Sequence, residues 1–114
     1  MFAKKNRLAK DRDVKTVLKA GRSFFDPFFT IKYLRASAQH TTTRCTVVVS
    51  TKVAKQAVKR NRIKRIIRDF LRRYLQGLAL GDYMIIVRPM VAKQEASDIR
   101  NRLGQVLVRN RLLK

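Results

Sequence analysis

Ten Lys or Arg and a single acid, Asp69, lie between Lys52 and Arg73, the densest gathering of chemically useful side chains in the chain. Such a run suits the binding of phosphates above any other task. Arg grips phosphate through two parallel hydrogen bonds and stacks on bases, which the point charge of Lys does not do. The Arg60-Asn61-Arg62 triplet stands where helical periodicity begins. A basic helix is often no more than a solvated face. Here the scarcity of acids and the share of Arg favour a polyanion. The candidate contacts are Lys52, Lys55, Lys59, Arg60, Asn61, Arg62, Lys64, Arg65 and Arg68.

Catalysis by the protein's own side chains finds no constellation to support it. The seven acids are scattered as Asp11, Asp13, Asp26, Asp69, Asp82, Glu95 and Asp98. A two-metal nuclease needs several carboxylates converging on one site. With one histidine, His40, and one cysteine, Cys45, the chain has neither a zinc spacing nor a triad. His40 sits in a polar stretch and reads as solvent-exposed. No Gly-rich phosphate loop occurs. No catalytic residue, bound metal or cofactor is therefore expected on the protein itself.

The elements that position the basic run can be read from periodicity. Ile63, Ile66, Ile67, Phe70, Leu71, Tyr74, Leu75 and Leu78 recur every three or four residues, the mark of a helix with one buried stripe. At about 100° per residue from Arg60, the cations Lys64, Arg68, Arg72, Arg65, Arg62 and Arg73 fall between roughly 40° and 220°. Ile66, Phe70, Ile63, Tyr74 and Ile67 fall between roughly 240° and 340°. The two faces hardly mix. Before this helix, Met1 to Lys10 reads as a loosely ordered basic tail. Asp11 is a candidate N-cap for a short helix with Val14, Val17 and Leu18 on its stripe, and Gly21 a candidate left-handed stop.

Phe24 to Leu34 has strand character, with Pro27 confining the strand to the residues after it. Phe29, Ile31 and Tyr33 share one face; Phe28, Thr30 and Lys32 share the other. Ala36 to Thr43 reads as a hairpin connection into a β-branched strand, Arg44 to Thr51. After the basic helix, Tyr83 to Val87 suits a central strand stopped by Pro89. Ser97 or Asp98 can cap a last helix with Ile99, Leu103, Val106 and Leu107 on its stripe, weakened or closely packed at Gly104. The result is α+β: one domain, 1–114, in the order helix, two or three strands, helix, strand, helix, with helices packed on a small central sheet.

Composition sets limits on partners. A net charge of +21 at pH 7 exceeds what solubility requires and points to nucleic acid ahead of an anionic membrane. No run of about 18 apolar residues is present to cross a bilayer. The basic N-terminus lacks an adjoining apolar region, which argues against secretion. Cys45 in an apolar run then reads as core packing in a reducing cytoplasm.

From Lys52 to Arg68 the sequence resembles the signature of the bacterial ribonuclease P protein component. Ala57-Val58-Lys59-Arg60-Asn61-Arg62-Ile63-Lys64-Arg65-Ile66-Ile67-Arg68 matches its Ala-Val-x-Arg-Asn-Arg-x-Lys-Arg-x-x-Arg core. Lys5-Asn6-Arg7-Leu8, Gly21 and the run from Asp82-Tyr83 to Arg88 extend the likeness over nearly the whole chain. The resemblance implies an α-β-β-β-α-β-α order with a left-handed β-α-β crossover around the basic helix, against the right-handed rule that holds in roughly 98% of cases. It also implies two partners, the ribonuclease P RNA and precursor tRNA, whose 5′ leader the holoenzyme removes by hydrolysing one phosphodiester bond. The RNA and its magnesium ions would carry that chemistry, and no protein partner is implied.

The basic motif would face the catalytic RNA. A cleft between the first helix and the sheet would hold the single-stranded leader, and Arg7, Val14, Leu18 and Tyr33 are the residues this chain offers it. Tyr33 fits core packing equally well. Val14 and Leu18 stand where many members of the family have Phe, and Ala54 where glycine is frequent. Three other readings differ in their consequences. A ribosomal or other structural RNA-binding protein would leave precursor processing unchanged, and an autonomous nuclease would cleave without RNA. A membrane-surface helix would need the stripe from Ile63 to Leu78 that so small a domain requires for its core.

Overall fold

A computed structural model describes residues 3–36 and 42–114. Three helices, α1 (Asp11–Ala20), α2 (Ala57–Arg73) and α3 (Ala96–Arg109), flank a sheet of β1 (Arg22–Phe25), β2 (Phe29–Arg35), β3 (Arg44–Val48) and β4 (Gly81–Val87). The spatial order is β1-β2-β4-β3, antiparallel except for the β3·β4 pair. The chain order α-β-β-β-α-β-α is the one that the resemblance implies.

The alternation within strands sorts side chains between two layers. Ile31, Ile85 and Val47 lie abreast on β2, β4 and β3, and with Phe29, Tyr83 and Val87 they meet Ile63, Ile67, Phe70 and Leu71 of α2 and the stripe of α3. Burying those four α2 side chains is worth roughly 1.5–3 kcal/mol each. Repulsion between neighbouring cations on the helix costs only about 0.2–0.5 kcal/mol per pair, so packing decides that α2 forms. On the other face α1 lays Val14 and Val17 on Leu34, Met84 and Ile86, with Leu8 beside them.

Several sequence expectations change in the structure. Arg22–Phe25 is a strand of its own, because Pro27 sits in a tight turn closed by the Asp26 N–H donating to the Phe29 carbonyl at 2.9 Å. The link from β2 to β3 is not a hairpin: β4 is inserted between them and pairs with both. His40 lies outside the described residues. Ala3 to Lys10 is packed rather than loose. Its Asn6 and Leu8 are buried, Asn6 Nδ2 donates to the Thr43 carbonyl at 2.9 Å, and the Leu8 N–H donates to the Cys45 carbonyl at 3.0 Å.

Helix ends also move. Lys10, not Asp11, is the cap of α1, and Asp11 and Asp13 sit in its first turn, where the helix dipole favours acids. Gly21 is extended, at φ −72°, rather than left-handed. Glycine is needed there for space, since a Cβ would lie 2.5 Å from the Val17 carbonyl oxygen. The basic helix begins at Ala57, a turn before the triplet, and ends at Arg73, leaving Leu75–Gly77 to a 3-10 turn. Glu95 precedes α3, which starts at Ala96, so neither Ser97 nor Asp98 caps it.

Candidate nucleic-acid interface

The sheet grips α2 by its apolar stripe and so turns its other side to solvent. Lys52, Lys55, Lys59, Asn61, Arg62, Arg65 and Arg68 are exposed, and Arg60 and Lys64 are half-buried. Among the described residues every ion pair involves Arg44, Arg102 or Arg109, so no cation of α2 has a carboxylate partner. Three of the seven acids are engaged elsewhere. Asp13 and Asp82 hold Arg44 at 3.0 and 2.6 Å, which ties α1 to β3 and β4. Hydrogen bonding to Asp82 raises the Arg44 pKa above its ordinary value against the effect of burial. Asp26, buried at the β1–β2 turn, takes Arg102 of α3 at 2.8 Å.

Arg60 has a second task that its sequence position does not announce. Its Nη1 donates to the carbonyls of Ala54 and Lys55 at 3.0 and 2.7 Å, folding the side chain over the turn that leads into α2. Arg60→Ala should therefore act on stability as well as on binding. Losing charge-assisted hydrogen bonds costs about 1.5–3 kcal/mol, so a thermal melt should fall for Arg60→Ala and stay near wild type for Arg62→Ala. Equal melting temperatures would show that the contact to the turn carries no weight.

A groove of about 470 Å³ runs along the outer edge of β3, where Arg7 bridges to Cys45. Arg7, Val14, Thr46, Val47 and Arg68 line it, so two of the four expected cleft residues meet the basic helix there. Leu18, one turn beyond Val14, does not line the groove and stands 44% exposed. Tyr33 is elsewhere. It belongs to the Phe29 and Ile31 face, the opposite side of the sheet from α1, where its hydroxyl donates to the Leu80 carbonyl at 2.7 Å and its ring packs 4.9 Å from that of Tyr83. Strand alternation separates two faces without saying which one a helix covers, and so it leaves the side of Tyr33 open.

The part of the α1-side face that α1 leaves uncovered carries residues the sequence did not single out. Thr30 and Lys32 on β2 and Thr46 on β3 are half-buried, and Val48 and Phe25 are exposed. Lys32 Nζ donates to Ser23 Oγ at 3.1 Å within this surface. The alternation Thr46, Val48 against Cys45, Val47 was the available signal, hidden because Val48 is as apolar as its buried neighbours. Cys45 itself is core. Burial, with the nearby Asp82 carboxylate, pushes its thiol up to about 12, which keeps it protonated and inert.

Among the described residues no group of three His, Cys, Asp or Glu converges, and no helix is long and apolar enough to cross a membrane. A concave, mixed polar and apolar cleft beside an unpaired cationic helix suits single-stranded and folded RNA together.

Known proteins share this fold. A family model described as Ribonuclease P matches residues 2–111. The ribonuclease P protein component of Xanthomonas campestris pv. campestris (strain B100) is 34% identical over 108 residues, covering 95% of this chain and 71% of that protein. The solved ribonuclease P protein of Staphylococcus aureus is 26% identical with a TM-score of 0.89, over 96% of this chain and 98% of that one. The solved protein from Thermotoga maritima is 26% identical with a TM-score of 0.79, over 90% and 96%.

Proposed function

The chain belongs to the ribonuclease P protein family, and we propose on that footing that α2 seats it on the catalytic RNA while the cleft beside α1 takes the 5′ leader of precursor tRNA. Its place is in tRNA processing rather than in the ribosome. The observation that carries the assignment of surfaces is the cationic face of α2, without carboxylate partners, meeting the groove at Arg68. Counterion release on binding would reward each phosphate that face neutralises. Arg7 and Val14 at the groove, and Thr30, Lys32, Thr46 and Val48 on the open sheet face, would hold the leader. Tyr33 is left out of that set because it lies on the opposite face of the sheet from α1.

Phosphodiester hydrolysis falls to the RNA with its magnesium, and the protein supplies grip and positive charge in the cytoplasm, holding no cofactor of its own. Rigorously RNA-free protein should leave precursor tRNA intact. Leader removal by such a preparation would overturn this division of labour.

A ring at position 18 tests the cleft. Leu18 is exposed one helical turn from Val14, so Leu18→Phe adds an aromatic surface without crowding the core. A base stacked on it gains about 1–3 kcal/mol, which should tighten holoenzyme binding of precursor tRNA over mature tRNA and leave affinity for the catalytic RNA unchanged. Equal tightening of both tRNA forms would move the leader away from this helix.

A further inference from the structure

The end of α2 and the outer side of α3 bound an open groove of about 770 Å³, separate from both the RNA-facing side of α2 and the cleft beside α1. Its α2 wall is an aromatic pair. Phe70 is buried, and Tyr74, with ring centroids 4.7 Å apart, stands 44% exposed. By spacing Tyr74 belongs to the apolar stripe, yet it caps the helix C-terminus and leaves the core only half covering it. Across the groove α3 presents Gly104, where a Cβ would come within 3.3 Å of the Phe70 ring, and the exposed Val108. The missing side chain keeps the groove open.

The rim is cationic. Arg100 and Asn101 line this groove and also a smaller hollow that continues to Arg73. Among the described residues neither Arg73 nor Arg100 has a carboxylate within ion-pair distance, and the one acid nearby is Asp69. Arg73 also closes the cationic arc of α2, so a phosphate backbone tracking that helix arrives at this rim.

We infer that the groove holds an unpaired nucleotide of the RNA subunit, its base on the Tyr74 ring and its phosphate between Arg73 and Arg100; this rests on α2 being the RNA-facing helix. An exposed ring with cations beside it is what single-stranded RNA recognition uses, since every base offers a π-face. A second copy of this chain would bring like cations together at a charge of +21 on each partner. An acidic peptide would occupy the cations and leave the ring without a stacking partner.

The test measures binding of ribonuclease P RNA by full-length wild type, Tyr74→Ala, Tyr74→Phe and Arg100→Ala over a salt series, with thermal melts of each. Tyr74→Ala should weaken binding about 5- to 150-fold, the equivalent of one base stack at about 1–3 kcal/mol, with the log–log salt slope unchanged. Tyr74→Phe should bind like wild type. Arg100→Ala, on an exposed position, should reduce the slope by about 1. Affinity of the assembled holoenzymes for precursor tRNA should be the same throughout.

A folded Tyr74→Ala that binds the RNA like wild type, or a loss confined to precursor tRNA, overturns the proposal. So does an unchanged slope in Arg100→Ala, whatever Tyr74→Ala does to folding. Wild-type protein that shows no preference for this RNA over an unrelated structured RNA would sink the reading of α2 along with the groove, whereas tight wild-type binding with an inert Tyr74 sinks the groove alone.

Discussion

Replacing Arg62, Arg65 and Arg68 together by alanine should lower affinity for ribonuclease P RNA by roughly two orders of magnitude at 0.15 M salt and flatten the log–log salt dependence by about 3. The expectation rests on three exposed guanidiniums on one face of α2 with no carboxylate beside them. If each neutralises one phosphate, each releases about 0.9 of a counterion, and the gain scales with the dilution of salt. Stability should move in the opposite sense or not at all. Exposed substitutions shift it by no more than about 0.5 kcal/mol, and removing like charges at helical spacing relieves repulsion. Lysine in their place should keep the slope while recovering part of the affinity, because it brings charge without the planar fork. A normally folded triple variant with the wild-type slope would mean that this face is merely solvated.

The second large effect falls on the fold. Asp26 is buried between the β1–β2 turn and α3, and accepts from Arg102 Nε at 3.0 Å, Arg102 Nη2 at 2.8 Å and the Phe28 N–H at 2.8 Å. Asp26→Ala leaves Arg102 without its carboxylate. Breaking a buried pair costs about 3–5 kcal/mol, and because Arg102 still reaches water the lower end applies, a fall in Tm of more than about 10 °C. RNA affinity of the folded fraction should be unchanged, since neither residue lies on α2 or in the β3 groove.

The same pair gives a pH signature. Burial pushes the Asp26 carboxyl up, but hydrogen bonds from Arg102 and the Phe28 N–H, with the Arg102 charge, outweigh it and hold the pKa below 3.8. A carboxylate with a depressed folded pKa stabilises fully above its unfolded value and loses that contribution as pH falls through the folded one. The gap in Tm between wild type and Asp26→Asn should thus be widest above about pH 4 and close below it. A gap independent of pH would show that the charge on Asp26 does not matter.

These two cases mark what was legible in the sequence. The faces of α2 were, because a stripe at spacings of three and four separates apolar from cationic residues before any packing is known. Most of the element order was legible too, from the change of period along the chain, but β1 was not told apart from β2. The Asp26–Arg102 pair was not: its partners are 76 residues apart, and no local pattern links them. The sheet order was equally hidden, since a polar stretch after β2 looks like a hairpin loop whether or not β4 later inserts beside it. That insertion also decides which face of β2 each helix covers, and so which side of the sheet Tyr33 occupies. Arg60 shows a further limit, since a residue type suited to phosphate also suits backbone carbonyls, and only the turn geometry reveals that it serves the carbonyls as well.

Leader removal from precursor tRNA by a bacterial ribonuclease P RNA at low magnesium, with and without this protein, tests the account most directly. A net charge of +21, with ten of the 28 cations between Lys52 and Arg73, should stand in for counterions among crowded phosphates, so RNA alone should be slow and RNA with protein fast. The wild-type protein should restore cleavage at the mature 5′ end, and the Arg62, Arg65, Arg68 triple variant should need more magnesium to do so. Cleavage that is no faster with the protein than without it, at any magnesium concentration, would contradict the account.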